Sequence, residues 1–202
     1  MLEFERALWA RGIERIAGVD EVGRGCLFGD VVAAAVILPP GLEIPDINDS
    51  KKLSEKKREA LYDFIMEKAL AVGIGSVDAA TIDRINIKQA ARLAMKRAVE
   101  QLNPPPDYLL IDAERIDLAI AQEAIIKGDA LSQSIAAASV IAKVTRDRRC
   151  LQWDLEYPEY DIAVHKGYAT AKHRERLLQY GPSPLHRRSF LKSFLVVQEK
   201  LF

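Results

Sequence analysis

Short dense apolar runs alternate with longer amphipathic stretches along this chain. Arg15 to Val22 is a compact apolar run stopped at Gly23-Arg24-Gly25, and it reads as a first strand. Asp30 to Leu38 reads as a second. Its unbroken apolar stretch from Val31 predicts burial on both faces, and Pro39-Pro40 ends it. A Pro-, Asp- and Asn-rich loop follows through Asn48-Asp49-Ser50-Lys51-Lys52. Ser54 can then cap a helix running to about Leu70, with Leu61, Phe64, Ile65 and Leu70 near helical spacing. Val72 to Val77 is a third strand. Helical stretches follow near Asp78 to Asp83 and from Ile87 to Leu102, and Pro104-Pro105-Pro106 breaks the second. Tyr108 to Ile111 is a fourth strand closing on Asp112, and Ala124 to Lys127 a short fifth ending at Gly128-Asp129. Leu131 to about Tyr157 reads as one long helix. Helical signals return from Thr170 to Tyr180 and after Arg187. There is no internal repeat. The pattern predicts a mixed α/β fold, a five-stranded sheet with helices against its faces, and a small helical appendage starting near residue 160.

Composition narrows the class. Apolar residues make up 49% and charged residues 29% of the 202 positions, which suits a water-soluble globular protein and excludes wholesale disorder. The longest apolar run is far short of a membrane span. The acidic start, Met1-Leu2-Glu3-Phe4-Glu5-Arg6, lacks the basic-then-apolar order of an export signal. Cys26 and Cys150 make neither a zinc knuckle nor a disulfide framework. A cytoplasmic monomer with no membrane association is expected. Net charge is zero, but residues 163–202 carry +6 and residues 1–162 carry −6. A basic end on a neutral protein suggests contact with a polyanion. His165, His173 and His186 lie in that region at spacings that fit no metal motif, so they read as polar surface.

The candidate chemistry lies at strand ends. The first strand leads into Asp20-Glu21, the fourth into Asp112 and the fifth toward Asp129. Strand ends are where α/β folds place ligands. If these strands are neighbours, four carboxylates converge and need a compensating cation. Oxygen ligands without Cys or His favour Mg²⁺ or Mn²⁺. Two such ions, about 3.5–4 Å apart, can clamp the attacking and leaving oxygens of a phosphodiester. One tension is built in: consecutive strand residues point to opposite faces, so Asp20 and Glu21 reach one site only if the strand ends or twists between them.

Asp20-Glu21-Val22-Gly23-Arg24-Gly25 resembles the opening signature of the ribonuclease HII family. The resemblance continues through Asp49-Ser50-Lys51-Lys52-Leu53-Ser54 and through Asp112 and Asp129 as third and fourth acids. It runs on through Ser139-Val140-Ile141-Ala142-Lys143-Val144-Thr145-Arg146-Asp147, His165-Lys166-Gly167-Tyr168 and the stretch from Tyr180-Gly181-Pro182 to His186-Arg187. It implies a ribonuclease H-like fold; with the element pattern this gives a catalytic domain over 1–160 and a small basic helical region over 161–202, either separate or part of the same single domain. It implies a metal-dependent endonuclease that cuts RNA in RNA–DNA hybrids and nicks duplex DNA 5′ of a single ribonucleotide, leaving 5′-phosphate and 3′-hydroxyl. Asp20, Glu21, Asp112 and Asp129 would hold the metals. The backbone of Gly23, Arg24 and Gly25 would contact the ribose 2′-hydroxyl, and Tyr168 would stack on the next deoxyribose. Asp129 in place of Glu, and no extra N-terminal domain, favour type 2 over type 3.

Ser132, Ser139, Lys143 and Arg146 share a helical face and could meet phosphates, with Ser139 and Lys143 the stronger candidates. Lys51 is a further substrate contact, and Arg187 and Arg188 are expected to bind phosphates from the basic end. Trp9 and Trp153 read as packing anchors. A non-catalytic binding module on this fold would be expected to lack an acid, and a phosphatase would need neither the glycine loop nor the basic tail.

Overall fold

The computed structural model describes residues 1–195. Residues 196–202, with Glu199 and Lys200 of the basic stretch, lie outside the described residues. The strands are β1 (Ile16–Val22), β2 (Val31–Ile37), β3 (Ala71–Val77), β4 (Tyr108–Asp112) and β5 (Ala121–Ile125). They form one sheet in the order β3-β2-β1-β4-β5. β2 runs antiparallel to both β1 and β3, whereas β4 runs parallel to β1 and β5 parallel to β4. The strands that carry acids are therefore neighbours. Every residue of β2 is buried, as its unbroken apolar run requires.

The helices are α1 (Glu3–Trp9), α2 (Glu55–Lys68), α3 (Ala79–Ile85), α4 (Ile87–Glu100), α5 (Gly128–Leu131), α6 (Gln133–Glu156), α7 (Ile162–His165), α8 (Ala171–Tyr180) and α9 (Arg188–Leu195). One face of the sheet, with Ala17, Val19, Ala33, Ala35 and Ile111, packs on Ala90, Ala94, Met95 and Ala98 of α4. The other, with Ala34 and Val36, packs on α2 and on Ala137, Val140 and Ile141 of α6. The alanines let α6 lie almost on the sheet backbone. A Cβ at Gly18 would fall 2.0 Å from the carbonyl carbon of Ser134, so glycine is required there. Ser54 caps α2 as its sequence predicts, accepting from Lys57 N.

Four expectations change. β5 is Ala121–Ile125, not Ala124–Lys127. Its position is set by pairing of Tyr108 with Ala121 rather than by its few apolar residues, and Ile126 is 77% exposed. The long helix does not begin at Leu131. Ser132 breaks it, capping α6 at Ile135 N and donating its hydroxyl to the buried Glu5 of α1 at 2.6 Å. α1, which the apolar pattern did not reveal, is held by that bond and by packing of Phe4, Leu8 and Trp9 near Ile16, Leu110 and Ile135. Finally, the three histidines are not surface groups. All are buried.

The C-terminal helices are bound to the segment after β1 rather than hung from the end of α6. Leu27 N donates to Gly167 O, Gly29 N to Leu185 O and Arg187 N to Leu27 O, each at 2.8 Å. Phe28 is enclosed by Trp153, Tyr157, Tyr160 and His186. Among the described residues, no helix is long and apolar enough to cross a membrane.

Candidate active site

The pairing of Val19 with Ile111 sets Asp20 level with Asp112 on adjacent strands. Asp20 and Glu21 do not follow β1; they lie within it, paired with Ala34 and Ala33. They accordingly point to opposite faces, Asp20 toward α6 and Glu21 toward α4. The strand neither ends nor breaks between them. Asp112 closes β4, and its Oδ1 accepts from Gly128 N at 2.7 Å. Asp129 is not at the end of a strand. A left-handed Lys127 (φ 59°) turns the chain into α5, which carries it.

Electrostatics tie the four acids together. Burial drives the Asp20 carboxyl well above its usual range, Glu21 and Asp112 drive it further, and a hydrogen bond from Ser139 opposes. Burial raises Glu21 too, against the pull of Arg24, and Asp112 adds to the rise. Asp129 is raised by burial, then by the charges of Asp49 and Asp112, with Lys51 opposing. Asp49, which was not among the expected acids of the site, lies near enough for its charge to raise Asp129. Its signal was hidden by a second task, capping the short turn at Lys51 N.

As the side chains stand, no three acidic, imidazole or thiol groups among the described residues are gathered closely enough to hold one ion. The donors nevertheless suit a hard cation. All are carboxylate oxygens, their charges repel one another in a partly buried setting, and Glu21 Oε2 is buried with no hydrogen-bond partner.

Beside the acids, Glu21, Gly23, Arg24, Gly25, Lys51 and Tyr168 line a groove of about 200 Å³. Gly23 is left-handed (φ 91°), and a Cβ there would meet Arg146 Nε at 2.3 Å. Gly25 faces open space. Lys51 Nζ is 3.9 Å from Asp129 Oδ2. Burial disfavours its charge, yet Asp20, Asp49, Asp129 and Asp112 outweigh that and raise its pKa. Tyr168 is 40% exposed and its backbone pairs with Cys26, which ties it to the glycine loop.

Of the other expected contacts, Ser139 and Arg187 are buried, Lys143 is paired and Arg188 is exposed. Lys143 pairs with Asp147 at 2.7 Å, so Lys51 is the lysine shown beside the acids. Ser139 is buried and bonds Asp20 and Ser50, a support for the acid rather than an exposed contact. Arg187, expected to bind phosphate, is fully buried; it donates to Gly29 O at 2.9 Å and Arg24 O at 3.0 Å. Burial lowers its pKa to about 10. Arg146 matches it from α6, donating to Phe28 O, Asp30 O and Lys166 O at 2.8–3.1 Å. Two buried guanidiniums thus hold the carbonyls of the glycine loop and of the turn before Tyr168. Arg188 is exposed, and its N–H and that of Ser189 are capped by Asp83. The histidines form a chain. His173 Nδ1 bonds Tyr168 O at 2.9 Å, His173 Nε2 meets His186 Nε2 at 3.1 Å, and His186 Nδ1 accepts from Ser183 N.

A mixed sheet of this order, with acids across β1, β4 and α5, defines a ribonuclease H-like α/β protein. The chain belongs to the ribonuclease HII family, whose profile matches residues 17–193. It is 62% identical to ribonuclease HII of Alkaliphilus metalliredigens over 96% of this chain and 98% of that one. It is 56% identical to the Alkaliphilus oremlandii protein over the same shares. Among solved structures it is similar to ribonuclease H2 of Pyrococcus horikoshii, with a TM-score of 0.73, 26% identity, and coverage of 87% of this chain and 93% of that one. The fold also matches Bst-RNase HIII in complex with Mn²⁺, with a TM-score of 0.63, 21% identity, and coverage of 91% and 67%. Membership makes the chain a ribonuclease H-type nuclease, a hydrolase.

Proposed function

We propose that this protein is a divalent-metal-dependent endonuclease that cuts the RNA strand of RNA–DNA hybrids and nicks duplex DNA 5′ of a single embedded ribonucleotide. The observation that carries this reading is the gathering of Asp20, Glu21, Asp112 and Asp129, mutually repelling carboxylates that are buried or half-buried, beside a glycine-lined groove. Those four would hold Mg²⁺ or Mn²⁺. When bound, the ions would stabilise charge on the attacking and leaving oxygens of the phosphodiester, leaving 5′-phosphate and 3′-hydroxyl. The Mn²⁺ in the Bst-RNase HIII structure is consistent with this choice of metal. Ser139 and Gly128 N orient Asp20 and Asp112 through their hydrogen bonds. Gly25, open to the groove, lets the backbone approach a ribose 2′-hydroxyl, the group that separates RNA from DNA. Tyr168 borders the same groove and supplies a flat ring for the adjoining deoxyribose. Lys51 is placed for a phosphate at the acids, and Arg188 for one further along the duplex.

The test is Asp112→Asn. Asn keeps an oxygen to accept from Gly128 N but removes the charge. Mg²⁺-dependent nicking of a duplex with one ribonucleotide should fall by roughly 10²–10³-fold, with an all-DNA duplex as control. Thermal stability without metal should not fall. Cleavage near the parent rate would sink the metal-site reading.

A further inference from the structure

The side chain of Arg24 has no part in the reading above, which uses only its backbone. Its Nη1 lies 3.2 Å from Glu21 Oε1 and 3.8 Å from Glu114 Oε1. Glu114 is a carboxylate outside the set of four acids. A left-handed Ala113 (φ 52°) turns the chain after β4 so that Glu114 meets α4. There Arg92 grips it, with Nε and Nη2 at 3.0 and 2.8 Å from the same oxygen, Oε2. The other oxygen, Oε1, is the one nearest Arg24. Side-chain exposure is 9% for Glu21 and 11% for Glu114, against 42% for Arg24. One exposed guanidinium therefore stands between two buried carboxylates, one a proposed metal ligand and the other anchored elsewhere.

A buried Glu21 needs a counter-charge, and Arg24 supplies it. A divalent cation at Glu21 would supply the same charge and repel Arg24 at short range. If Glu114 were absent, Arg24 could leave Glu21 only for water, and it would compete with the ion for the carboxylate. With Glu114 in place a second acceptor is within 3.8 Å of the same nitrogen. We propose that Arg24 is an exchangeable counter-ion of Glu21, and that Glu114, fixed by Arg92, takes it over when the cation binds. Glu114 is thus a positioning residue that sets metal affinity through Arg24. This rests on the metal reading of the four acids.

The experiment is calorimetric titration of the intact protein with Mn²⁺, without substrate, for the parent, Glu114→Gln, Arg24→Ala and the double variant. Glu114→Gln should weaken Mn²⁺ binding about fivefold, the scale of one partly buried charge contact. Arg24→Ala should bind at least as tightly as the parent. The double variant should match Arg24→Ala, because Glu114 acts only through Arg24. Glu114→Asp, which keeps the charge but draws it back from Arg24, should fall between the parent and Glu114→Gln and guards against a Gln variant that fails to fold. An equal loss from Glu114→Gln with and without Arg24 would mean a structural role and overturn the proposal. So would a Glu114→Gln variant that binds like the parent. A parent that binds no Mn²⁺ would remove the metal reading itself, and the proposal with it.

Discussion

Single atoms separate the roles of the two loop glycines. Gly23 is left-handed, and a methyl there would collide with the buried Arg146. Gly25 has nothing within 4 Å of its would-be Cβ. Gly23→Ala should therefore lower stability by at least about 1 kcal/mol and damage activity as a consequence. Gly25→Ala should leave the melting temperature unchanged while eroding the preference for ribose, because its methyl projects into the groove. Cleavage and binding on matched ribo- and deoxy-substrates, with thermal melts alongside, check both. Unchanged selectivity in Gly25→Ala would remove the loop from ribose recognition. Tyr168 divides similarly. Tyr168→Ala should slow nicking at a single ribonucleotide by roughly tenfold, as for a lost stacking contact of about 1–3 kcal/mol, and affect a continuous hybrid less. Tyr168→Phe should retain most activity. Equal loss on both substrates together with a lower melting temperature would make the ring structural.

Among elements, the informative one is irregular. The stretch from Gly23 to Asp30 belongs to no named strand, yet its carbonyls at Arg24, Phe28, Gly29 and Asp30 are all held by the buried Arg146 and Arg187. A loop with buried backbone polar groups must find such partners. This explains why Arg187, which by charge alone belongs on a phosphate, is inside. Arg187→Met would leave two of those carbonyls unpaired. It should cost about 2–4 kcal/mol, read as a shifted urea midpoint. An unchanged midpoint would mean the guanidinium does not hold the loop.

For the whole molecule the histidine chain sets an acid limit. Burial holds His186 down to about 3 and His173 to about 4, and lowers His165 as well, against a usual value of 6.5. A histidine depressed in the fold contributes stability above its unfolded pKa and loses it as pH falls toward the folded value. Between pH 6.5 and 4 the unfolded chain therefore binds more protons at these sites. Stability should drop by about 1.4 kcal/mol per pH unit for each histidine kept neutral. The raised carboxyls of Asp20, Glu21 and Asp129 act oppositely, gaining stability as pH falls through their folded values. His186→Ala, measured by urea unfolding without metal, should be less stable at pH 7 and show a shallower loss toward pH 4. A slope equal to the parent's would show that the chain does not govern acid stability.

Local sequence determined much of this protein. The apolar runs located β1 to β4 within a residue or two, most directly β2, which is buried on both faces and apolar throughout. Ser54 and the proline clusters marked helix boundaries, because capping and ring geometry are local. The acids and the glycine loop drew notice as candidate chemistry because several carboxylates recur near the ends of apolar runs, although any one of them alone commonly starts a turn. Tertiary structure alone decided the rest. Ladder pairing placed β5, and a contact with Glu5 divided the long helix at Ser132. The opposite-facing Asp20 and Glu21 became parts of one electrostatic site only because β4 lies beside β1. Charged and imidazole side chains were misplaced for a single reason. Their position depends on whether distant backbone supplies partners that offset desolvation. The carbonyls that draw Arg187 inside lie more than 150 residues away along the chain, where no local pattern records them.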